Sequence, residues 1–373
     1  MTPRIRIIEP VIEDDDVSRV VEALRSGWLT GGPYAKEFEE RFARYIGVRH
    51  AVTVANGTLA LVAALYGIGV REGDEVIVPC FTFAATATAV LALGARPVFA
   101  DIDLETYNID PNSVAEKITR RTKAIIAVHL YGHMADVEKL KKLAEEEGIV
   151  LIEDAAQAHG AEYKGVKAGA WGDAAAFSFY ATKNMTMGEG GAVTTDRDDV
   201  AWRVRMLRSH GQETKYYHVT FGLNLRITSM QAALGLAQLE KLDKLNELRR
   251  RNARMLNEGL RDTGLILPVE KPGYKHVYHQ YVVRVDSSRV DVTRDELKKR
   301  LEMLGVETAV HYPRALPDQP FYRALGYPPA EKICPNAAIA AEQVLSLPVH
   351  PRLSVSDIEY VISSVRRALG LEG

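Results

Sequence analysis

Apolar positions along this chain fall into two periods. Short runs that are apolar at almost every position recur at 51–54, 74–79 (DEVIVP), 96–101 (RPVFAD), 122–129 (TKAIIAVH), 149–153 (IVLIE), 173–179 (DAAAFSF) and 192–195. Runs of this length, bounded by glycine, proline or polar turns, predict buried strands. Between them the pattern changes to helical spacing: after ANGT at 55–58, from about Thr82 to Gly94, and over Asp136–Glu147. Strands apolar on both faces, alternating with helices, predict a parallel sheet covered on both sides. Ligands of such sheets gather beyond the carboxyl ends of the strands. Two helices are predicted ahead of the first strand, Asp14–Leu24 and Tyr34–Tyr45. The second carries Phe38 and Phe42 four apart, and the glycine-rich SGWLTGGP separates the two.

Residues 228–260 read as one long helix with a stripe at Leu234, Ala237, Leu242, Leu245 and Leu248. Its basic run, Arg249–Arg251, reads as a solvated face. Beyond it, strands at His279–Asp286 and Val306–His311 and helices near Val292–Leu304, Asn336–Val344 and Val355–Leu369 predict a smaller α/β unit. The expected division is a large domain over 1–245 and a small C-terminal domain over 246–373.

The 373 residues suffice for two domains, and 47% hydrophobic with 26% charged residues fits a large-cored globular protein. A net charge of −2 without a long Lys/Arg block argues against a nucleic-acid surface. No apolar run is long enough to span a bilayer, and the N-terminus lacks a signal-peptide core. Cys80 and Cys334 have no metal spacing and form no disulfide framework. That predicts free thiols, no metal site and a reducing cytoplasm.

Candidate chemistry clusters at predicted strand ends. Lys183, in SFYATKNMTMGEGG (178–191), follows one strand in an apolar wall. An amine there loses hydration, so its pKa falls and it can form a Schiff base with a carbonyl. Asp154, in DAAQAHGA, ends another strand. A buried carboxylate needs a cation, and a protonated pyridine nitrogen is one. Lysine for an aldehyde and aspartate for a ring nitrogen suggest pyridoxal 5'-phosphate (PLP). Gln157 fits a ring-oxygen contact or a helix cap. Phe83, at a strand-to-helix corner, fits ring stacking or the core. Asn56, Gly57 and Thr58 open a helix directly after a strand, which suits a phosphate and equally suits an ordinary capped helix. Tyr278, His279, His311 and Tyr312 are polar aromatics that could face the pocket or serve the fold.

These motifs, with TYNIDP (106–111), HLYG (129–132), LRSHG (207–211), GLNLR (222–226), QAALGLAQLEKLD (231–243) and LSLPVHP (345–351), resemble the DegT/DnrJ/EryC1/StrS family of PLP-dependent nucleotide-sugar aminotransferases along nearly the whole chain. The resemblance implies the aspartate-aminotransferase-like fold (fold type I): a mainly parallel seven-stranded sheet flanked by helices, plus a small C-terminal domain. It implies Lys183 as Schiff-base lysine and proton carrier, and Asp154 on the pyridine nitrogen. Phe83 would stack on the ring and Gln157 would contact its phenolic oxygen. Gly57, Thr58 and Ser178 would hold the phosphate. Asn224 would reach the phosphate of the neighbouring subunit of a homodimer, with Arg226 near that junction and His311 and Tyr312 toward substrate. The implied reaction moves an amino group from an amino acid, L-glutamate, to the C4 keto group of a nucleotide-linked deoxysugar. Three alternatives stand beside it: a sugar dehydratase, which carries histidine in place of the lysine; a cysteine desulfurase using Cys334; and a non-catalytic PLP-binding regulator. His133–Met134 and Pro317 depart from the family pattern and would bear on substrate identity.

Overall fold

The computed structural model describes residues 3–371. In chain order the elements are α1 (Asp14–Arg25), α2 (Gly32–Ile46), β1 (His50–Val54), α3 (Gly57–Gly67), β2 (Glu75–Pro79), α4 (Ala85–Leu91), β3 (Arg96–Ala100), α5 (Pro111–Ala115), β4 (Thr122–Val128), α6 (Val137–Glu147) and β5 (Val150–Asp154). A small hairpin, β6 (Glu162–Tyr163) and β7 (Val166–Lys167), precedes β8 (Ala174–Ser178), β9 (Gly191–Thr195) and α7 (Asp198–Arg208). A second hairpin, β10 (Gln212–Thr214) and β11 (Tyr217–His218), leads into α8 (Ser229–Leu260). The remainder holds β12 (Tyr274–Lys275), β13 (Tyr281–Arg284), α9 (Arg294–Met303), α10 (Pro320–Ala324), α11 (Ala330–Ile333), α12 (Pro335–Gln343), β14 (Val344–Leu347) and α13 (Val355–Ala368).

Seven strands form one sheet in the order β1-β9-β8-β5-β4-β2-β3. Only β9 runs against its neighbours, β1 and β8. Every residue of β2, β8 and β9 is buried, as expected of strands covered on both faces. The spacing of Phe38 and Phe42 has a clear purpose. Both rings meet Phe179, at 5.3 Å each, and Phe42 meets Phe177 at 4.9 Å, so α2 is clamped onto the strand that leads to Lys183.

Helix α8 starts with a reciprocal cap: the Thr228 hydroxyl accepts from Gln231 N–H, and the Gln231 side-chain oxygen accepts from Thr228 N–H. The helix runs unbroken through 245–246. Ala232, Leu236 and Leu242 belong to the core around Phe38, whereas Ala253, Leu256 and Leu260 belong to the C-terminal core around Tyr281.

Several expectations are corrected. Arg249 is not a solvated face: it is 6% exposed and points at the carbonyls of Tyr278 and His279. Arg251 donates to the Leu353 carbonyl. Residues 306–311 form no strand but make isolated bridges, Val306 to Ile5 and Ala309 to Ser346, the latter on the edge of β14 that β13 leaves open. Cys80 and Cys334, 254 positions apart, are joined in a disulfide with Cα atoms 6.5 Å apart. The fold brings the end of β2 against the start of α12, a contact that sequence spacing does not report. The argument from free thiols to a reducing compartment falls with it. No described helix is long and apolar enough to cross a membrane.

Candidate active site

The carboxyl ends of β5 and β8 and the start of α3 open on one cavity of 520 Å³. Its wall includes Asn56, Gly57, Thr58, Phe83, Asp154, Gln157, Ser178, Lys183, His279, His311 and Tyr312, so eleven of the residues singled out above converge. Asn224 and Arg226 do not. Asn224 is exposed, and Arg226 borders a separate cavity of 320 Å³ with Gly31, Lys36, Glu39 and Arg208. Tyr278 faces elsewhere, stacked on His276 with ring centroids 3.9 Å apart. His133 stacks on Tyr274 at 4.6 Å, and both His133 and Met134 are buried off the cavity wall, as is Pro317.

Adjacent residues of β5 serve opposite faces. Glu153 accepts from His129 Nε2 (2.9 Å) and from the N–H groups of Gly169, Trp171 and Gly172. Burial opposes its charge, but these donors hold its carboxyl below the usual range. Asp154 points the other way, to the cavity. Its Oδ2 accepts from the Thr86 hydroxyl at 2.9 Å and its Oδ1 from Ala156 N–H at 3.2 Å. Burial raises its pKa above the ordinary carboxyl value, against these donors and Lys183. Two donors leave the carboxylate with spare acceptor capacity and, among the described residues, no cation in direct contact.

Lys183 sits in the loop between β8 and β9. That loop is not slack. Phe179 N–H donates to Gly190 O and Met187 N–H to Phe179 O, both at 2.8 Å, and Lys183 N–H donates to Tyr180 O at 2.9 Å. Burial lowers the Lys183 ammonium to about 8, against the attraction of Asp154. About a tenth is then neutral at pH 7, far more than for an ordinary lysine, and the neutral amine is the nucleophile.

Helix α3 begins on the cavity rim. The Asn56 side chain caps it by accepting from Leu59 N–H at 2.9 Å, which leaves the N–H groups of Gly57 and Thr58 without partners inside the helix. Gly57 is required by contact: a Cβ there would lie 2.5 Å from Ser178 Cβ. Gly191, the last glycine of GEGG, is required in the same way by the Asn56 carbonyl, 2.4 Å from where its Cβ would be. These close approaches put two backbone donors and the Ser178 hydroxyl around one anion-sized space at a helix N-terminus.

Gln157 is oriented by its surroundings. Its Oε1 accepts from Tyr131 N–H at 2.7 Å, and its Nε2 donates to Tyr312 OH at 3.2 Å, which leaves one N–H to spare. Burial keeps the Tyr312 phenol protonated. Phe83 is 58% exposed, an apolar ring left uncovered at the cavity mouth 6.1 Å from Tyr312. A neutral-capable amine, a carboxylate awaiting a cation, an oriented amide donor, an open aromatic face and an anion cradle together fit PLP.

Sequence reading missed Thr86, Ile8, Tyr180, Thr182, Glu189 and Gln280. Thr86 carried a usable signal, since it lies four residues after Thr82 and their hydroxyls are 3.0 Å apart. Ile8 carried none, because an N-terminal extension reaches the site only through the fold.

Residues 10–366 match the DegT/DnrJ/EryC1/StrS aminotransferase family. The chain is 42% identical to a Geobacillus stearothermophilus protein named as a pleiotropic regulatory protein, covering 94% of this chain and 93% of the relative. It is 41% identical to the dTDP-3-amino-3,4,6-trideoxy-alpha-D-glucose transaminase of Streptomyces venezuelae, covering 98% and 96%. A Streptococcus pneumoniae protein assigned as a sugar aminotransferase and solved in its PLP form is similar with a TM-score of 0.92, at 30% identity over 98% of both chains. Motif order, fold and cavity agree with these likenesses: the chain belongs to the DegT/DnrJ/EryC1/StrS aminotransferase family and is a PLP-dependent sugar transaminase.

Proposed function

We propose that the protein transfers the amino group of L-glutamate to the C4 keto carbon of a nucleotide-linked deoxysugar. The observation that carries the reading is the convergence of Lys183 and Asp154 on one cavity, with an anion cradle at Gly57, Thr58 and Ser178. When bound, PLP supplies an aldehyde for the Schiff base and an electron-withdrawing ring. With the cofactor bound, Asp154 would hold a proton on its ring nitrogen through its spare acceptor capacity, and Gln157 would donate from Nε2 to its phenolic oxygen. The N–H groups of Gly57 and Thr58 and the Ser178 hydroxyl would hold its phosphate, and Phe83 would cover one face of its ring. Lys183, tethered in the same cavity, would carry the proton that amino transfer must move. Its effective concentration is high because it cannot diffuse off. His311 and Tyr312 face the substrate side.

A C3 keto sugar is the second reading, because the product named for the Streptomyces venezuelae relative bears its amino group on C3. We further infer a homodimer in which Asn224 and Arg226 complete the partner's site. The exposed Tyr217, Phe221 and Leu223 beside them support a covered face there. We also infer the division into 1–245 and 246–373, supported by the change of core along α8. A desulfurase is disfavoured because Cys334 is fully buried and bonded to Cys80. A dehydratase is disfavoured by Lys183 itself. The test is a panel of nucleotide-linked 3-keto and 4-keto deoxysugars with L-glutamate, read as amino sugar and 2-oxoglutarate formed together. Turnover of a 4-keto member is expected. No turnover with any member, and no change of cofactor spectrum with any amino donor, would leave a PLP-binding regulator in its place.

A further inference from the structure

Asp154 is held by two donors of different origin. Ala156 N–H meets its Oδ1 at 3.2 Å, a contact two residues along the same segment. The Thr86 hydroxyl meets its Oδ2 at 2.9 Å from 68 positions away, in the first turn of α4. One donor leaves a carboxyl group free to turn about the held oxygen, and a second donor on the other oxygen fixes its plane. Among the described residues, Thr86 is the only side chain that hydrogen-bonds this carboxylate. The direction of that bond fixes the next one. A carboxylate only accepts, so Thr86 gives its single hydroxyl proton to Asp154. The Thr82 and Thr86 hydroxyl oxygens are 3.0 Å apart. With the Thr86 proton committed, Thr82 is the donor there. The hydroxyls therefore align from Thr82 to Thr86 to Asp154, and each bond polarises the next. Thr86 is fully buried, and Thr82 and Asp154 nearly so.

Burial works against the charge of Asp154. The Thr86 hydroxyl opposes burial most, followed by Ala156 N–H and by the charges of Lys183 in the β8–β9 loop and His129 after β4. The Tyr312 phenol faces the same carboxylate from the C-terminal region and stays protonated, so it adds no charge of its own. A neutral donor suits the place that Thr86 occupies. A lysine or arginine there would neutralise Asp154 and compete for it with a cationic ring nitrogen, whereas a hydroxyl favours the ionised carboxylate and leaves its charge unspent. The same turn also carries Phe83, because Thr86 N–H donates to the Phe83 carbonyl at 3.2 Å. One stretch of backbone thus places the aromatic ring at the cavity mouth and the hydroxyl behind the carboxylate.

We propose that Thr86, backed by Thr82, is a positioning residue for transamination: the two aligned hydroxyls fix the charge and the aim of the Asp154 carboxylate, and through it the hold on the cofactor's ring nitrogen. The proposal rests on the reading of Asp154 as the partner of that nitrogen. Its first test needs no cofactor. In the full chain, stripped of cofactor and labelled with ¹³C at the aspartate carboxyl groups, the Asp154 resonance is assigned by its loss in Asp154→Asn and followed against pH. Thr86→Val keeps the shape and removes the hydroxyl, so it should raise the titration midpoint by about one unit, a tenfold change. Thr86→Ser should restore the native midpoint. Thr82→Val should move the midpoint the same way by less, about twofold, and it supplies the test if Thr86→Val fails to fold. In the loaded enzyme, Thr86→Val should lower kcat about tenfold and leave the KM of the amino donor unchanged, with recovery in Thr86→Ser. A midpoint that stays at the native value in both valine variants, or a native kcat in Thr86→Val, overturns this proposal alone when Asp154→Asn is inactive. Native turnover in Asp154→Asn overturns the reading of Asp154 as well.

Discussion

Asp154→Asn is nearly isosteric and removes one buried charge. Asp154 is 6% exposed, and its carboxylate takes only two protein hydrogen bonds, from Thr86 and Ala156. The Thr86 hydroxyl can turn to accept from the new amide, so the fold should survive. The substitution ends the attraction between a carboxylate and a protonated ring nitrogen. For unit charges about 4 Å apart at an effective dielectric of about 20, that attraction is about 4 kcal/mol. It matters most when the reacting carbon has lost its proton and the ring must draw off the charge. Placed wholly on that barrier, it lowers kcat by about three powers of ten. The assay is steady-state amino transfer, with bound cofactor counted by absorbance and folding followed by thermal melting. The expected result is a folded variant with its cofactor bound and its turnover nearly abolished. Turnover within tenfold of the native enzyme would refute the assignment of Asp154 to the ring nitrogen.

Two further predictions concern stability. His159 is fully buried between Phe177 and Phe179, and burial followed by Lys183 lowers its pKa to about 3. The unfolded chain takes up this proton first, so the group removes stability as pH falls from about 6.5 toward 3, by about 2 kcal/mol between pH 7 and pH 5. Urea unfolding should show the loss from pH 7 to pH 5 reduced by that amount in His159→Phe, and an unchanged loss would contradict a neutral buried histidine. Reducing the Cys80–Cys334 disulfide opens a loop spanning 254 positions, which in the chain-entropy limit costs about 5 kcal/mol. Thermal melting should fall on reduction in the native chain and be insensitive to reductant in Cys80→Ser/Cys334→Ser, and identical melts in both redox states would refute a stabilising bond.

Most of the sheet was legible because strands buried on both faces leave continuous apolar runs, and the residues at their carboxyl ends must share one edge. That logic places Asp154, Ser178 and Lys183 together from segments that are not adjacent in sequence. It does not reach residues delivered by other routes. Ile8 arrives on an extension without periodicity, and Cys80 meets Cys334 only through the packing of the C-terminal region. Arg249 was misread because charge outweighed position, although Leu242, Leu245, Arg249, Asn252 and Leu256 continue one helical stripe, all buried. The strand expected at 306–311 failed because its two ends meet different partners, Val306 bridging Ile5 and Ala309 bridging Ser346, so no ladder extends along it. Asn224 and Arg226 lie off the cavity of their own chain, so no single-chain geometry assigns them a role.

The account turns on which amine holds the cofactor. Borohydride reduction of the loaded enzyme, followed by proteolysis and mass spectrometry, should find the pyridoxyl group on the peptide containing Lys183 and nowhere else, with no adduct in Lys183→Ala. A pyridoxyl group on another lysine, or retained in Lys183→Ala, would contradict it.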